Sequence, residues 1–304
     1  MFTRRLLRVL GHRRALRFGL RDRLLRRFDD PETTASQEFV VPFYGASYRG
    51  NFDTFIDWSV YYYGAYERDD LELIGDLLAC LPDPVFVDVG ANVGHHTLFA
   101  ATRCPRVVAI EPFAPLVERL RQKIADNALT NVTVVACGLG ARDGAAPFVP
   151  ASGHNTGTGR FGGASNSGAI ALPIRRGDDV LASAGVDRVG FIKIDTEGSE
   201  REVLTGLSRT LSASRPLVFF EWSERGRRTQ DEGRRDARDL FPEGYSFFRR
   251  RPDRIALGVF RKTVDGLQPL PDTWPEADIL AVPGEFLARV ALMPGSRCAA
   301  RVAQ

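Results

Sequence analysis

The stretch Val85–Gly94, VFVDVGANVG, leaves few folds open. Val85–Val89 reads as a short apolar strand carrying one acid, Asp88, and Gly90-Ala91-Asn92-Val93-Gly94 reads as a tight turn that opens a helix. A strand feeding a helix through a glycine turn is half of a βαβ unit, and such units stack into a parallel sheet covered by helices on both faces. The residues downstream repeat the alternation. Strands are expected at Val85–Val89, Arg106–Ile110, Val132–Ala136, Val189–Ile194 and Leu217–Glu221, with helices at His95–Thr102, Ala114–Asn127 and Ser199–Leu207. Ser199 and Glu202 have the spacing of a capping box for the last helix. The fold class implied is α/β, a doubly wound, mostly parallel sheet.

In such sheets ligands bind outside the carboxyl ends of the strands. Gly90 and Gly94 let the backbone come close to a ligand and take torsions closed to other residues. A dinucleotide turn carries G-x-G-x-x-G, so that the helix start can meet a pyrophosphate. Here Asn92 stands at the middle glycine position, and a ligand with no phosphate suits the turn better. S-adenosylmethionine, with its ammonium and sulfonium, is such a ligand. Glu111 ends the second strand 21 residues after Gly90, close to the ~20 expected of a ribose-binding acid. Gly90, Gly94 and Glu111 are therefore candidate cofactor residues.

Asp195 and Glu197 follow the fourth strand and Glu221 ends the fifth, so all three are expected at one rim as candidate catalytic residues. A carboxylate there can take a hydroxyl proton, and three acids are also a donor set for Mg²⁺. A strand-end Asp can equally cap the next helix. His95 and His96 sit at a helix start, where the dipole disfavours their charged forms; each is either a site contact or a packed neutral ring. His154 lies in 150–168, a segment too rich in Gly, Ser and Asn for a regular element. No local Ser/His/Asp or Cys/His signature is present.

Charge is uneven along the chain. Residues 1–28 carry ten arginines against Asp22 alone, so with a net charge of +3 the remaining residues total −6. Basicity confined to one end argues against a nucleic-acid-binding body. Leu16, Leu20, Leu24 and Phe28 recur every fourth residue among these arginines, which reads as a basic amphipathic helix. It is either a solvated or packed extension or a contact for a membrane surface or acidic partner. Phe43–Glu67 is dense in aromatics that fit packing or a pocket wall. Tyr245–Arg250 and Ile255–Phe260 read as a closing hairpin, Arg225–Arg238 as a solvated stretch, and the proline-containing tail from Leu267 has no clear place. The four cysteines form no C-x-x-C pair, and no run of about 18 apolar residues exists to cross a bilayer. A reducing cytoplasm, with membrane association through the basic end, is the setting these features imply. The domain reading is an N-terminal extension over 1–40, an aromatic cap over 41–83, the sheet domain over 84–262 and a C-terminal extension over 263–304.

Over Phe43–Trp222 the chain resembles the FkbM family of S-adenosylmethionine-dependent methyltransferases. The resemblance is carried, in order, by Gly64-Ala65-Tyr66-Glu67, Phe86–Gly94, Ile110-Glu111-Pro112, Asn127, and Ile192-Lys193-Ile194-Asp195-Thr196-Glu197-Gly198-Ser199-Glu200 running on to Leu204. It implies a class I methyltransferase sheet of seven strands and O-methylation of a sugar, glycan or secondary metabolite. It also implies cofactor contacts at Asp88, Gly90, Asn92, Gly94 and Glu111, with Asp195 and Glu197 facing the reaction centre. His95-His96 and the Gly-rich 150–168 segment depart from the family pattern. Two other readings stand beside it: a nicotinamide-dependent oxidoreductase on a similar sheet, against which the missing middle glycine argues, and a non-catalytic binding protein.

Overall fold

The computed structural model describes residues 2–13, 18–150, 160–161, 168–222, 237–250, 254–256, 259–261, 267–271, 274 and 276–291. Two helices, α1 (Phe2–His12) and α2 (Phe18–Phe28), precede the hairpin of β1 (Glu38–Phe43) and β2 (Ala46–Asn51), then α3 (Phe55–Tyr63) and α4 (Arg68–Ala79). The alternating part follows as β3 (Val85–Val89), α5 (His95–Ala101), β4 (Arg106–Ile110), α6 (Ala114–Asp126) and β5 (Val132–Val135). After β6 (Gly138–Gly140), β7 (Gly144–Val149), β8 (Arg160–Phe161), β9 (Ile170–Arg176) and α7 (Gly177–Ser183), the chain returns with β10 (Phe191–Ile194), α8 (Glu200–Gly206), α9 (Ser208–Ser214) and β11 (Leu217–Trp222). The last strands are β12 (Tyr245–Arg250), β13 (Arg254–Ala256), β14 (Val259–Arg261), β15 (Leu267–Pro269) and β16 (Ala277–Pro283), and α10 (Leu287–Ala291) follows them.

Eight strands form the main sheet in the order β15-β12-β16-β11-β10-β3-β4-β5. The run from β5 to β11 is parallel, and β16, β12 and β15 are antiparallel additions. Alternation along the strands supplies two cores. Phe86, Phe191, Phe219 and Leu280 face α4 and α5. Val87, Ile192, Val218 and Ile279 face α7, α8 and α9. The period-2 pattern thus has an apolar partner on either side, as a sheet buried on both faces requires.

The structure corrects four expectations. The sheet has an eighth strand, β15, at its edge. The C-terminal extension expected over 263–304 contributes to the sheet itself, because β16 lies between β11 and β12 and pairs with both. Its apolar run ADILAV is buried from Ile279 to Pro283, a signal obscured by the prolines around it. Tyr245–Arg250 does not pair with Ile255–Phe260: its two edges go to β16 and β15, while β13 and β14 form a hairpin of their own. The Ser199 side chain makes no capping bond. Glu200 does that work instead, its Oε1 accepting from the Thr196 and Gly198 amides at 3.1 and 3.0 Å and from the Thr196 hydroxyl at 2.9 Å.

Within 150–168, Arg160–Phe161 pairs with Val149 and Phe148, so that segment does contain a strand. It belongs to a second sheet, β6-β9-β7-β8. Residues 151–159 and 162–167, with His154, lie outside the described residues, as do 225–236 of the charge-dense stretch.

Because β16 is an inner strand, a chain ending at Lys262 should lose its cooperative thermal transition by circular dichroism. A native-like melt from that truncation would show that β16 is dispensable.

Candidate active site

The turn after β3 is built by backbone constraints. Gly90 has φ +77°, and a Cβ there would sit 1.9 Å from the Asp195 carbonyl oxygen, so only glycine lets the ends of β3 and β10 come this close. The Gly90 and Ala91 amides both donate to the Ile110 carbonyl at 3.0 Å, tying the turn to β4. Gly94, at φ +85°, clears the Leu120 side chain of α6. Asn92 has φ +52°, and its side-chain oxygen accepts from the Val93 amide at 2.8 Å. That local bond offsets the cost of a left-handed torsion in a residue other than glycine.

Glu111 locks the turn from the neighbouring strand. Its two oxygens accept from the Asn92 and Phe113 amides, each at 2.9 Å. Burial pushes its carboxyl up to about 7, against those two donors, which favour the charged form.

Beneath the turn lies a buried charge group. Lys193 is opposite Asp88 in the parallel register of β3 and β10. Its Nζ donates to Asp195 at 3.1 Å and stands 3.9 Å from Asp88. Burial alone would lower the Lys193 ammonium, but Asp195, Asp88 and Glu67 together hold it above the ordinary lysine range. Asp88 is fully buried and accepts from the Thr97 hydroxyl at 2.6 Å, and burial raises its carboxyl.

Above this group opens a cavity of about 380 Å³. The main sheet contributes Gly90, Asn92, Glu111, Asp195, Thr196 and Glu197, and β6, β7 and β9 of the second sheet supply a wall that includes Leu139, Gly140, Phe148 and Ile174. Phe55 and Ile56 of α3, with Tyr66, close the opposite side. Among the described residues five carboxylates line it (Glu111, Asp143, Asp195, Glu197 and Glu202) against one arginine, Arg142.

The structure sorts the residues expected from sequence. Gly90, Asn92, Glu111, Asp195 and Glu197 line the cavity. Asp88 and Gly94 do not: the first anchors Lys193 and Thr97, the second packs on α6. Glu221 also lies outside the lining, yet it is close enough to feel Asp195 and Glu197; burial and then those charges push it up to about 7. Among the described residues no group of three or more His, Cys, Asp or Glu is placed to hold a metal ion.

His95 and His96 are packed neutral rings. Both are buried, which lowers His95 to about 3 and takes His96 well below its ordinary value. His95 Nε2 accepts from the Tyr66 amide at 3.2 Å, and its ring packs on Phe43, so it positions a cavity residue. Sequence reasoning did not single out Lys193, Tyr66 or Glu200 as site residues. A lysine inside an otherwise apolar strand was the available signal for the first. The second sheet's wall had none, since its glycines and alanines look like loop.

The structure is thus a doubly wound α/β sheet with an acidic cavity at the carboxyl ends of its parallel strands, the place where such sheets bind ligands. A family profile, the Methyltransferase FkbM domain, matches residues 88–254. The chain is 31% identical over 195 residues to the AMB antimetabolite synthetase AmbE of Pseudomonas aeruginosa, covering 51% of this chain and 9% of that protein. It is 31% identical over 147 residues to the hexuronic acid methyltransferase AglP of Haloferax volcanii, covering 48% of this chain and 59% of that one. In both cases the chain spans less than two thirds of the relative's length. A crystal structure of an FkbM methyltransferase from Methylobacillus flagellatus aligns at 20% identity and TM-score 0.41, over 66% of this chain and 43% of that one. With more than half its length matched by the profile, this chain belongs to the FkbM methyltransferase domain family.

Two outcomes follow from the charges. Glu111 has a raised folded pKa, so it binds more protons folded than unfolded from about pH 4.5 to 7, and its contribution to stability falls as pH rises through that window. Glu111→Gln should therefore gain stability relative to wild type between pH 5 and 8, by on the order of 1–3 kcal/mol in denaturant titrations; a pH-independent difference would refute this. Lys193→Met leaves Asp88 and Asp195 without their buried partner and should cost about 3–5 kcal/mol at pH 7.

Proposed function

We propose that this protein transfers a methyl group from S-adenosylmethionine to a hydroxyl of a sugar, glycan or secondary-metabolite acceptor. The observation that carries this reading is the cavity itself, whose described lining holds five carboxylates and one arginine at the end of the glycine turn. Such a lining is hostile to a pyrophosphate and complementary to a ligand bearing an ammonium and a sulfonium. The residues present fit that ligand. Each Glu111 oxygen uses one lone pair on a backbone amide and keeps another for a ribose hydroxyl. Ile110, Leu116, Leu139 and Phe148 offer an apolar slot for a base.

The bound cofactor supplies an electrophilic methyl on positively charged sulfur. The protein's part is to orient the acceptor and receive its proton. Asp195 is the group for this: its side chain is 34% exposed, and Lys193 holds one of its oxygens from beneath. As the acceptor oxygen takes the methyl group and S-adenosylhomocysteine departs, the hydroxyl proton would pass to the Asp195 carboxylate. Glu197, two residues on and also in the cavity, orients the acceptor. Asp88 and Glu221 act through their charge and not by contact. Similarity to a hexuronic acid methyltransferase supports a sugar acceptor.

Calorimetric titration with S-adenosylmethionine should show binding that weakens about tenfold from pH 8 to pH 6, as Glu111 takes up its proton. Heat from a nicotinamide dinucleotide, with none from S-adenosylmethionine, would overturn the reading. With a panel of sugar acceptors, Asp195→Asn should keep cofactor affinity and lose roughly 10²–10⁴-fold in turnover, followed as S-adenosylhomocysteine release; unchanged turnover would remove Asp195 from the mechanism.

A further inference from the structure

The arginines of the first two helices fall into two sets. Arg4, Arg8, Arg21 and Arg26 are spent on the protein. Arg4 pairs with Asp29 at 2.8 Å, Arg8 donates to the Tyr61 carbonyl at 3.1 Å, Arg21 bonds the Gly11 carbonyl, and Arg26 pairs with Asp22 at 3.0 Å. Leu25 buries itself among Phe52, Trp58 and Tyr62, and at Gly11 helix α1 comes so close to α3 that a Cβ would collide with the Tyr62 carbonyl. The helices are thus docked on the domain by one face.

The other face is different. Arg5, Arg13, Arg23 and Arg27 are exposed and make no hydrogen bond or ion pair among the described residues. Leu6 and Val9 of α1, and Phe18, Leu20, Leu24 and Phe28 of α2, are exposed on the same two helices, at 36% to 67%. These are most of the large exposed apolar side chains among the described residues. No helix there is long and apolar enough to cross a membrane.

We propose that this face docks the protein on an anionic lipid membrane, with α1 and α2 lying in the interfacial plane. Interleaved leucine, phenylalanine and arginine is the composition that burial to headgroup depth favours, since the apolar groups enter the acyl boundary while guanidinium groups remain at the phosphates. Charge complementarity names the lipid. The rest of the chain carries −6 and is repelled by an anionic surface, so attachment must come from this end. Phe55 of the cavity wall lies beneath the guanidinium of Arg26, on the inner face of α2, 5.3 Å from ring centroid to charge, so the helix that carries the docking face also touches the candidate active site.

Co-sedimentation of the full chain tests this, using vesicles of phosphatidylcholine alone and vesicles that are one third phosphatidylglycerol. Binding is expected to the anionic vesicles only. It should fall by more than about a hundredfold when Arg5, Arg13, Arg23 and Arg27 are all changed to Glu, and about fivefold for Arg27→Glu alone, the milder variant should the first not fold. Changing Leu20, Leu24 and Phe28 to Ser should also weaken binding, with the thermal midpoint kept. Equal binding to neutral vesicles, no binding at all, or retention by the arginine variants would overturn the proposal. So would indifference to the serine changes, which would mark the face as electrostatic contact for an acidic macromolecule, or a dimer in light scattering that those changes dissolve.

Discussion

A single ammonium, that of Lys193, organises the rim of the sheet. It is buried where β3 and β10 lie side by side, with Asp88 opposite and Asp195 two residues further along its own strand. Its hydrogen bond holds one Asp195 oxygen in a fixed direction at the cavity, while burial still raises the Asp88 carboxyl against the pull of the ammonium. The same closeness of β3 and β10 forces glycine at position 90, whose missing Cβ makes room for the Asp195 carbonyl. The glycine turn and the acidic segment across the crevice are therefore one constraint expressed at two places in the chain.

The cavity is completed by parts that belong to neither. One wall is the small second sheet, and the other is the aromatic segment that precedes β3. His95 connects that second wall to the turn: it begins the helix after Gly94, stays neutral because burial penalises its charge, and accepts from the Tyr66 amide. A histidine next to a glycine turn invites a catalytic reading. In this fold its chemistry is that of a hydrogen-bond acceptor that fixes a backbone.

The arginine-rich beginning of the chain shows how composition alone misleads. Ten arginines within 28 residues look uniform in sequence, yet the helices divide those described between an inner face that pairs with Asp22, Asp29 and backbone carbonyls and an outer face that carries charge beside exposed apolar groups. The docking is aromatic as well as ionic, with Arg4 and Arg8 lying over Phe52 and Tyr61.

What the sequence determined by itself was whatever is encoded within about ten residues. Strands β3, β4, β5, β10 and β11 announce themselves by β-branched runs, the turn by Gly90 and Gly94, and Glu111 by its place at the end of β4. Tertiary structure decided the rest. Asp88 and Asp195 are both strand-end acids in sequence, but only one reaches the cavity, because the Lys193 pairing and Thr97 claim the other. Glu200, and not Ser199, caps the loop before α8, since that choice depends on where the Thr196 and Gly198 amides point. The insertion of β16 between β11 and β12, and the closing of the cavity by β6, β7 and β9, rest on pairings between distant segments. A strand's partner is chosen by which free edge and apolar face the folded sheet offers, and no local pattern of residues records that.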